Sequence, residues 1–269
     1  MPFAEVIGDP IAQSKSPIIH KYWLEQLGID GDYVRTQVAA GELWGFITRR
    51  RADPVWRGCN VTIPHKQPIM PLLDRLDPGA EAIGAVNCVV PEEDGLAGYN
   101  SDIDGVADAL DSTELEGRKA VVIGAGGGAR AVVAYLSRRE ADIVVVARNP
   151  SKAEELHSIA PVRVLPLEQA GHAFQGAAAI ANATSMGMTG GDPMPRVLLE
   201  AVRAHSADAI LFDMVTTPAE TDFLACGTRT VDGLTMLTGQ ARRAFELFFG
   251  STPPQGDAEL RRLLTGADQ

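Results

Sequence analysis

The sequence predicts an α/β fold, on three observations. Strand-like and helix-like segments alternate along nearly the whole chain. In the second half the strand candidates are continuous apolar runs, as a parallel sheet covered on both faces requires. A glycine-rich turn joins one of those runs directly to a helix.

Taken in order, residues 3–8 read as a first strand and residues 16–28 as a helix, with Ser16 at its N-cap, Pro17 in its first turn and Gly28 closing it. Residues 33–38 are a strand, 41–51 a helix, 58–62 a strand and 64–73 a helix. Residues 85–90 and 96–99 form two strands joined by a turn at Glu93-Asp94-Gly95. A helix over 102–110 leads into a polar, linker-like stretch at 111–117, and the domain boundary is expected between Asp102 and Gly117. The second region alternates a strand at 120–123, a helix at 130–139, a strand at 143–146 and a helix at 151–159, with further apolar runs at 178–181 and 209–212. A last helix, 236–249, carries Leu237, Ala241, Ala244, Phe245 and Phe248 on one face; Gly250 stops it before Pro253-Pro254.

Composition narrows the function classes. The 269 residues include 24 Lys+Arg, 35 Asp+Glu and 5 His, a formal net charge of −11. The hydrophobic fraction is 45% and the charged fraction 22%, which is ordinary for a globular protein and excludes a disordered or fibrous chain. The acidic balance argues against nucleic acid or an anionic membrane surface as partner. No apolar run is long enough to span a membrane, and the first residues carry Glu5 and lack a basic leader. Cys59, Cys88 and Cys226 are odd in number and have no metal-ligand spacing, so buried reduced thiols in a cytoplasmic protein are expected and no metal.

Gly124-Ala125-Gly126-Gly127-Gly128-Ala129 follows a strand and precedes a helix. Gly124, Gly126 and Ala129 fill the G-x-G-x-x-G/A pattern: a tight turn, a close backbone approach to a pyrophosphate, and helix packing on strand. The helix N-terminus there, with Gly127, Gly128 and Arg130, favours an anion. The following strand ends Val146-Ala147-Arg148-Asn149-Pro150-Ser151-Lys152. It has no acid for a ribose 2′-OH, and Arg148 and Lys152 suit a 2′-phosphate, which favours NADP over NAD. Two polar sets, Asn60-Val61-Thr62-Ile63-Pro64-His65-Lys66 and Asn100-Ser101-Asp102, fall at strand ends, where open α/β sheets bind ligands. A lysine beside a carboxylate can move a proton while a nicotinamide moves a hydride. Spacing alone does not join Lys66 to Asp102, and two unrelated surface charges are the other reading.

Six ordered motifs accompany the glycine turn: Gly8-Asp9-Pro10-Ile11-Ala12-Gln13-Ser14-Lys15-Ser16-Pro17; Gly58-Cys59-Asn60-Val61-Thr62-Ile63-Pro64-His65-Lys66; Gly84-Ala85-Val86-Asn87; Asn100-Ser101-Asp102-Ile103-Asp104-Gly105; Asn182-Ala183-Thr184-Ser185-Met186-Gly187-Met188; and Asp232-Gly233-Leu234-Thr235-Met236-Leu237, running on to Gln240. Along nearly its whole length the chain resembles the shikimate dehydrogenase family. The resemblance implies NADP-dependent interconversion of 3-dehydroshikimate and shikimate, in chorismate and aromatic amino acid biosynthesis. It implies Lys66 and Asp102 as the catalytic pair. Ser14 and Ser16 would bind the substrate carboxylate, with Asn60, Thr62, Asn87 and Gln240 around the ring hydroxyls. Thr184, Ser185, Met214, Gly233 and Met236 would lie near the cofactor.

The resulting expectation is an N-terminal α/β substrate domain at 1–103, completed by C-terminal helices within 235–269, plus a Rossmann-like NADP-binding domain at 104–234. The expected protein is a cytoplasmic monomer or homodimer with a small-molecule substrate. Two departures from the family leave alternatives open. Ala147-Arg148-Asn149 stands where the family usually has Asn-Arg-Thr, and Thr216 where it commonly has Tyr. A paralogue acting on quinate or a related ring acid, possibly with NAD, remains an alternative, as does a non-catalytic NADP-binding sensor on the same fold.

Overall fold

The structure, a computed structural model, describes residues 1–254 and 257–266; residues 255–256 and 267–269 of the expected C-terminal segment 235–269 lie outside the described residues. The chain divides into two compact units. The first holds Met1–Ser101 and the described residues from Gln240 on; the second is Asp102–Gly239.

In the first unit β1 (Phe3–Gly8), α1 (Ser16–Leu27), β2 (Asp32–Gln37), α2 (Leu43–Arg51), β3 (Trp56–Val61), β4 (Arg75–Leu76), α3 (Pro78–Ile83), β5 (Cys88–Glu92) and β6 (Gly95–Tyr99) follow in order. The strands make one mixed sheet, β2-β1-β3-β5-β6-β4. β1 is parallel to β2 and β3, while β5 is antiparallel to β3 and β6. Glu5, fully buried on β1, accepts from Arg50 Nε at 2.6 Å and from Arg50 Nη2 at 3.0 Å. A buried carboxylate is tolerated when paired in this way, and removing its partner costs about 3–5 kcal/mol.

The second unit runs α4 (Asp102–Leu110), β7 (Lys119–Ile123), α5 (Gly127–Arg138), β8 (Asp142–Ala147), α6 (Pro150–Ala153), β9 (Arg163–Pro166), α7 (Ala170–Phe174), β10 (Ala179–Asn182), α8 (Arg196–His205), β11 (Ile210–Asp213) and β12 (Arg229–Val231). Every strand pairing is parallel, and the order is β12-β11-β10-β7-β8-β9. This is the doubly wound dinucleotide-binding order, whose ligand crevice opens where the order reverses, between β7 and β10. Successive strand residues serve opposite layers. Val122, Val145, Ala181 and Phe212 join one core, and Val121, Val144, Ile180 and Leu211 the other. Both faces are covered, so the strands read as unbroken apolar runs.

α9 (Gly233–Phe249) crosses the division at Gly239/Gln240, and α10 (Ala258–Thr265) follows. Ala244 and Phe248 pack with Ala4, Val6, Cys88 and Val90 on one face of the first sheet; Ile7, Cys59, Val61 and Val89 belong to the other. Ala241, Ala244, Phe245 and Phe248 are buried as the sequence pattern requires, whereas Leu237 is half-buried. α10 is tied to α1, with Lys15 Nζ donating to Leu264 O at 2.7 Å and Tyr22 Oη to Asp257 Oδ2 at 2.6 Å.

Three local expectations need correction. Residues 64–73 are not a helix but turns ending in a short 3₁₀ segment, Met70–Leu72, because Pro64, Pro68 and Pro71 each lack an amide donor. Residues 151–159 divide into a short α6 and a 3₁₀ segment, Glu154–Ser158. Ser16 is the first residue of α1 and Lys15 its cap, and the Ser16 amide donates to Ser14 Oγ at 3.4 Å. The Ser14 hydroxyl thus accepts from the first amide of α1. All three cysteines are buried and free.

Candidate active site

A polar chain runs through the first unit. Ser14 Oγ donates to Ser16 Oγ at 3.3 Å, and the Ser16 side chain is hydrogen-bonded to the Tyr33 phenol. Tyr33 Oη donates to Asn60 Oδ1 at 2.6 Å. Asn60 Nδ2 donates to Asn87 O at 3.2 Å; Asn87 Nδ2 in turn reaches Ser101 Oγ at 3.1 Å and Gln240 Oε1 at 3.4 Å. The Ser101 amide donates to Asn87 Oδ1 at 2.7 Å. Five of the six residues expected around a substrate, Ser14, Ser16, Asn60, Asn87 and Gln240, are thus joined within one unit. Thr62 continues β3 two residues past Asn60, its amide donating to Ile7 O at 2.9 Å.

Tyr33 is the member that the sequence reading missed. It is fully buried, and burial holds its phenol protonated, well above the usual range. His20 stacks on it, centroids 4.0 Å apart and planes 5° apart. Burial pushes the His20 imidazole down to about 3, so it is neutral. A tyrosine on the inward face of a strand needs a partner for its hydroxyl, and that was the available signal. The partner, Asn60, lies 27 residues away. Arg35, two residues along β2, donates Nε–H to Ser14 O at 2.8 Å and anchors the serine loop.

Lys66 lies in the turn after β3, half-buried. Its backbone is fixed on both sides: Val86 N donates to Lys66 O at 2.8 Å, and the neighbouring His65 Nε2 contacts Val38 O at 2.6 Å. The turn is therefore carried by the same segment, residues 85–87, that supplies Asn87. Asp102, 2% exposed, opens α4 in the second unit.

In the second unit the glycine turn stands at the reversal of strand order. Gly124, directly after β7, has φ +115°, and a Cβ there would meet Thr184 Cγ2 at 2.7 Å and Ala183 O at 3.0 Å from the segment after β10. Gly126 caps α5 without any side-chain hydrogen bond and faces open space. The first amides of α5 have no partner within the helix, so the turn presents donors to an anion. A Cβ on Gly128 would meet Met214 Cε at 2.8 Å, and Ala129 is fully buried against the sheet. The donor set and free space fit a dinucleotide pyrophosphate.

The remaining expected cofactor residues surround this turn unevenly. Thr184 Oγ1 donates to Asn182 Oδ1 at 2.6 Å and accepts from Met186 N at 3.1 Å. Asn182 Nδ2 donates to Asp213 Oδ1 at 2.9 Å, and Thr221 Oγ1 donates to Asp213 Oδ2 at 2.6 Å. Burial raises the Asp213 carboxyl above its usual range, opposed by these donors. Met214 N donates to Asn182 O at 3.0 Å, so the ends of β10 and β11 are locked together. Gly233 is required by packing, since a Cβ would meet Val215 O at 2.4 Å. Met236 lies in the apolar core. Ser185 is exposed. Arg130 is 9% exposed in α5. Lys152 is exposed on α6, its amide donating to the capping Asn149 Oδ1 at 3.2 Å. Arg148 pairs with Asp192 at 3.5 Å.

Among the described residues no group of three or more His, Cys, Asp or Glu could hold a metal, and no helix is long and apolar enough to cross a membrane. Fold and site together define an α/β enzyme architecture: a dinucleotide-binding unit and a unit built around a fixed polar network. Family models sharpen that class. The model for the shikimate dehydrogenase substrate binding domain matches residues 6–89, that for shikimate / quinate 5-dehydrogenase matches 107–190, and that for the shikimate 5′-dehydrogenase C-terminal domain matches 233–258. A shikimate dehydrogenase (NADP(+)) of Sphingopyxis alaskensis is 47% identical, covering 98% of this chain and 97% of its own. A protein of the same description from Azorhizobium caulinodans is 42% identical over 96% and 94%. The crystal structure of shikimate 5-dehydrogenase from Thermus thermophilus in complex with NADP(H) and shikimate superposes with a TM-score of 0.85 at 33% identity, covering 99% of this chain and 100% of that one. The chain belongs to the shikimate dehydrogenase family.

Proposed function

We propose that the protein is an NADP-dependent shikimate dehydrogenase interconverting 3-dehydroshikimate and shikimate, in the route to chorismate and the aromatic amino acids. The observation that carries this reading is the polar chain from Ser14 to Gln240. A polyhydroxylated ring acid must find a fixed partner for each hydroxyl removed from water, and a site of prearranged hydroxyls and amides supplies them. Ser14 and Ser16 take the carboxylate through their hydroxyls. Asn60, Thr62, Asn87 and Gln240 serve the ring hydroxyls.

When bound, NADP supplies the hydride acceptor, and NADPH the donor, for the C3 centre. The glycine turn from Gly124 to Ala129 and the α5 N-terminus with Arg130 hold its pyrophosphate, Arg148 and Lys152 its 2′-phosphate, and Thr184, Ser185, Met214, Gly233 and Met236 belong to its surroundings. Lys66 is the acid/base at the C3 oxygen: it gives a proton to the carbonyl oxygen in reduction and takes one from the hydroxyl in oxidation. Asp102 is its catalytic partner.

The domain roles follow, with residues 1–103 and the closing helices taking substrate and 104–234 taking cofactor. A cytoplasmic monomer or homodimer completes the reading; sedimentation of the purified chain decides between the two states. The catalytic assignment is tested by initial rates of NADP+ reduction with shikimate in the wild type and in Lys66→Ala. The reading expects kcat to fall about 10²–10⁴-fold with shikimate binding little changed. A near-normal kcat would remove Lys66 from the mechanism.

A further inference from the structure

The two loops that flank the glycine turn are joined by an ion pair. Arg148 follows β8 and Asp192 lies in the segment after β10, and β8 and β10 are the two neighbours of β7 in the sheet. The Arg148 Nη1–Asp192 Oδ2 distance is 3.5 Å. The pair therefore links the two sides of the crevice into which the glycine turn opens. Asp192 is not loosely placed. Its carbonyl accepts from Gly187 N at 2.9 Å, Met188 N donates to Ser185 O at 3.1 Å, and Thr189 N donates to Thr217 O at 2.8 Å. The turn 185–192 is thus closed on itself and tied to the chain after β11, and it carries the carboxylate to the guanidinium.

We propose that Asp192 is a cofactor-selectivity residue: it acts as the counter-ion of Arg148 in the free enzyme and competes with the 2′-phosphate of NADP for that guanidinium. The inference rests on the reading of Arg148 as the 2′-phosphate ligand. The competition has a definite sign. A guanidinium already paired with a carboxylate must exchange that anion for the phosphate, and the lost pair offsets part of the binding. Asp192 accordingly weakens NADP binding, leaves NAD binding alone, and narrows the preference between the two. The effect is small because both side chains are well exposed, at 69% and 77%. Exposed pairs of this kind change an equilibrium by about two- to fivefold, less at high salt.

Calorimetric titration of the full chain with NADP+ and with NAD+ tests this in Asp192→Asn, Arg148→Gln and the double variant, with melting temperatures confirming that each is folded. Asp192→Asn is expected to lower the NADP+ Kd about two- to fivefold at low salt with the NAD+ Kd unchanged. The gain should shrink as salt rises and vanish in the Arg148→Gln background. An unchanged or raised NADP+ Kd in Asp192→Asn, an equal gain for NAD+, or a gain that persists without Arg148 overturns the proposal. Arg148→Gln alone is expected to weaken NADP+ about 10- to 100-fold, the range for a lost charge-assisted hydrogen bond. If instead it leaves the NADP+ Kd at the wild-type value, the 2′-phosphate reading itself has failed, a result distinct from failure of the Asp192 proposal.

Discussion

Tyr33 shows how one buried hydroxyl organises several polar side chains. Its phenol lies between Ser16 and Asn60, its ring stacks on the neutral His20, and burial keeps its proton in place. It therefore always donates to Asn60 Oδ1, which leaves the Asn60 amide nitrogen to point its protons at Asn87 O and at whatever ligand arrives. Tyr33→Phe keeps the ring and removes the donor. An unsatisfied buried acceptor costs about 1–3 kcal/mol, so the KM for shikimate should rise about tenfold with the NADP+ Kd untouched. Steady-state kinetics with a parallel cofactor titration checks this; an unchanged KM would separate Tyr33 from substrate binding.

At the scale of elements, the two glycines that begin the dinucleotide turn have different physical reasons. Gly124 combines φ +115° with a Cβ position 2.7 Å from Thr184 Cγ2, so Gly124→Ala should lower both the melting temperature and NADP+ affinity. Gly126 has an ordinary extended backbone and open space, so Gly126→Ala should leave the melting temperature near wild type and weaken NADP+ by placing a methyl in the pyrophosphate approach. Thermal melts and cofactor titrations of the two variants check the contrast, and equal melting temperatures would contradict it. Elements whose cause is local were legible in the sequence, this turn first among them. The turns at 64–73 were misread because an apolar, lysine-bearing run resembles a helix until Pro64, Pro68 and Pro71 are counted as missing donors. α3 was missed and α10 was given no bounds, although Asp77 and Asp257 cap them, accepting from Gly79 N at 2.9 Å and Leu260 N at 2.8 Å. The substrate-side chemistry was legible only through its motif order, because Ser14, Tyr33, Asn60, Asn87 and Gln240 are scattered along the chain and meet only through the mixed sheet and α9.

For the molecule as a whole, acidity and stability are separate matters. The −11 charge argues against a polyanionic partner, yet the glycine turn gathers orphan amides, with Arg130 in the helix it opens and Arg148 on the neighbouring loop. Stability should depend on pH through His20. Its folded value of about 3 lies below the unfolded 6.5, so between those values only the unfolded chain takes the proton. Stability is then full above about pH 6.5 and declines as pH falls, by up to about 1.4 kcal/mol per pH unit from this group. Urea denaturation across that range should show a shallower slope in His20→Phe than in the wild type, whatever the offset between them; identical slopes would contradict it. The assignment as an NADP-dependent shikimate dehydrogenase is tested most directly by kcat/KM for shikimate and quinate with NADP+ and with NAD+. The account predicts the largest value for shikimate with NADP+. A kcat/KM for quinate above that for shikimate, or for NAD+ above NADP+, would contradict it.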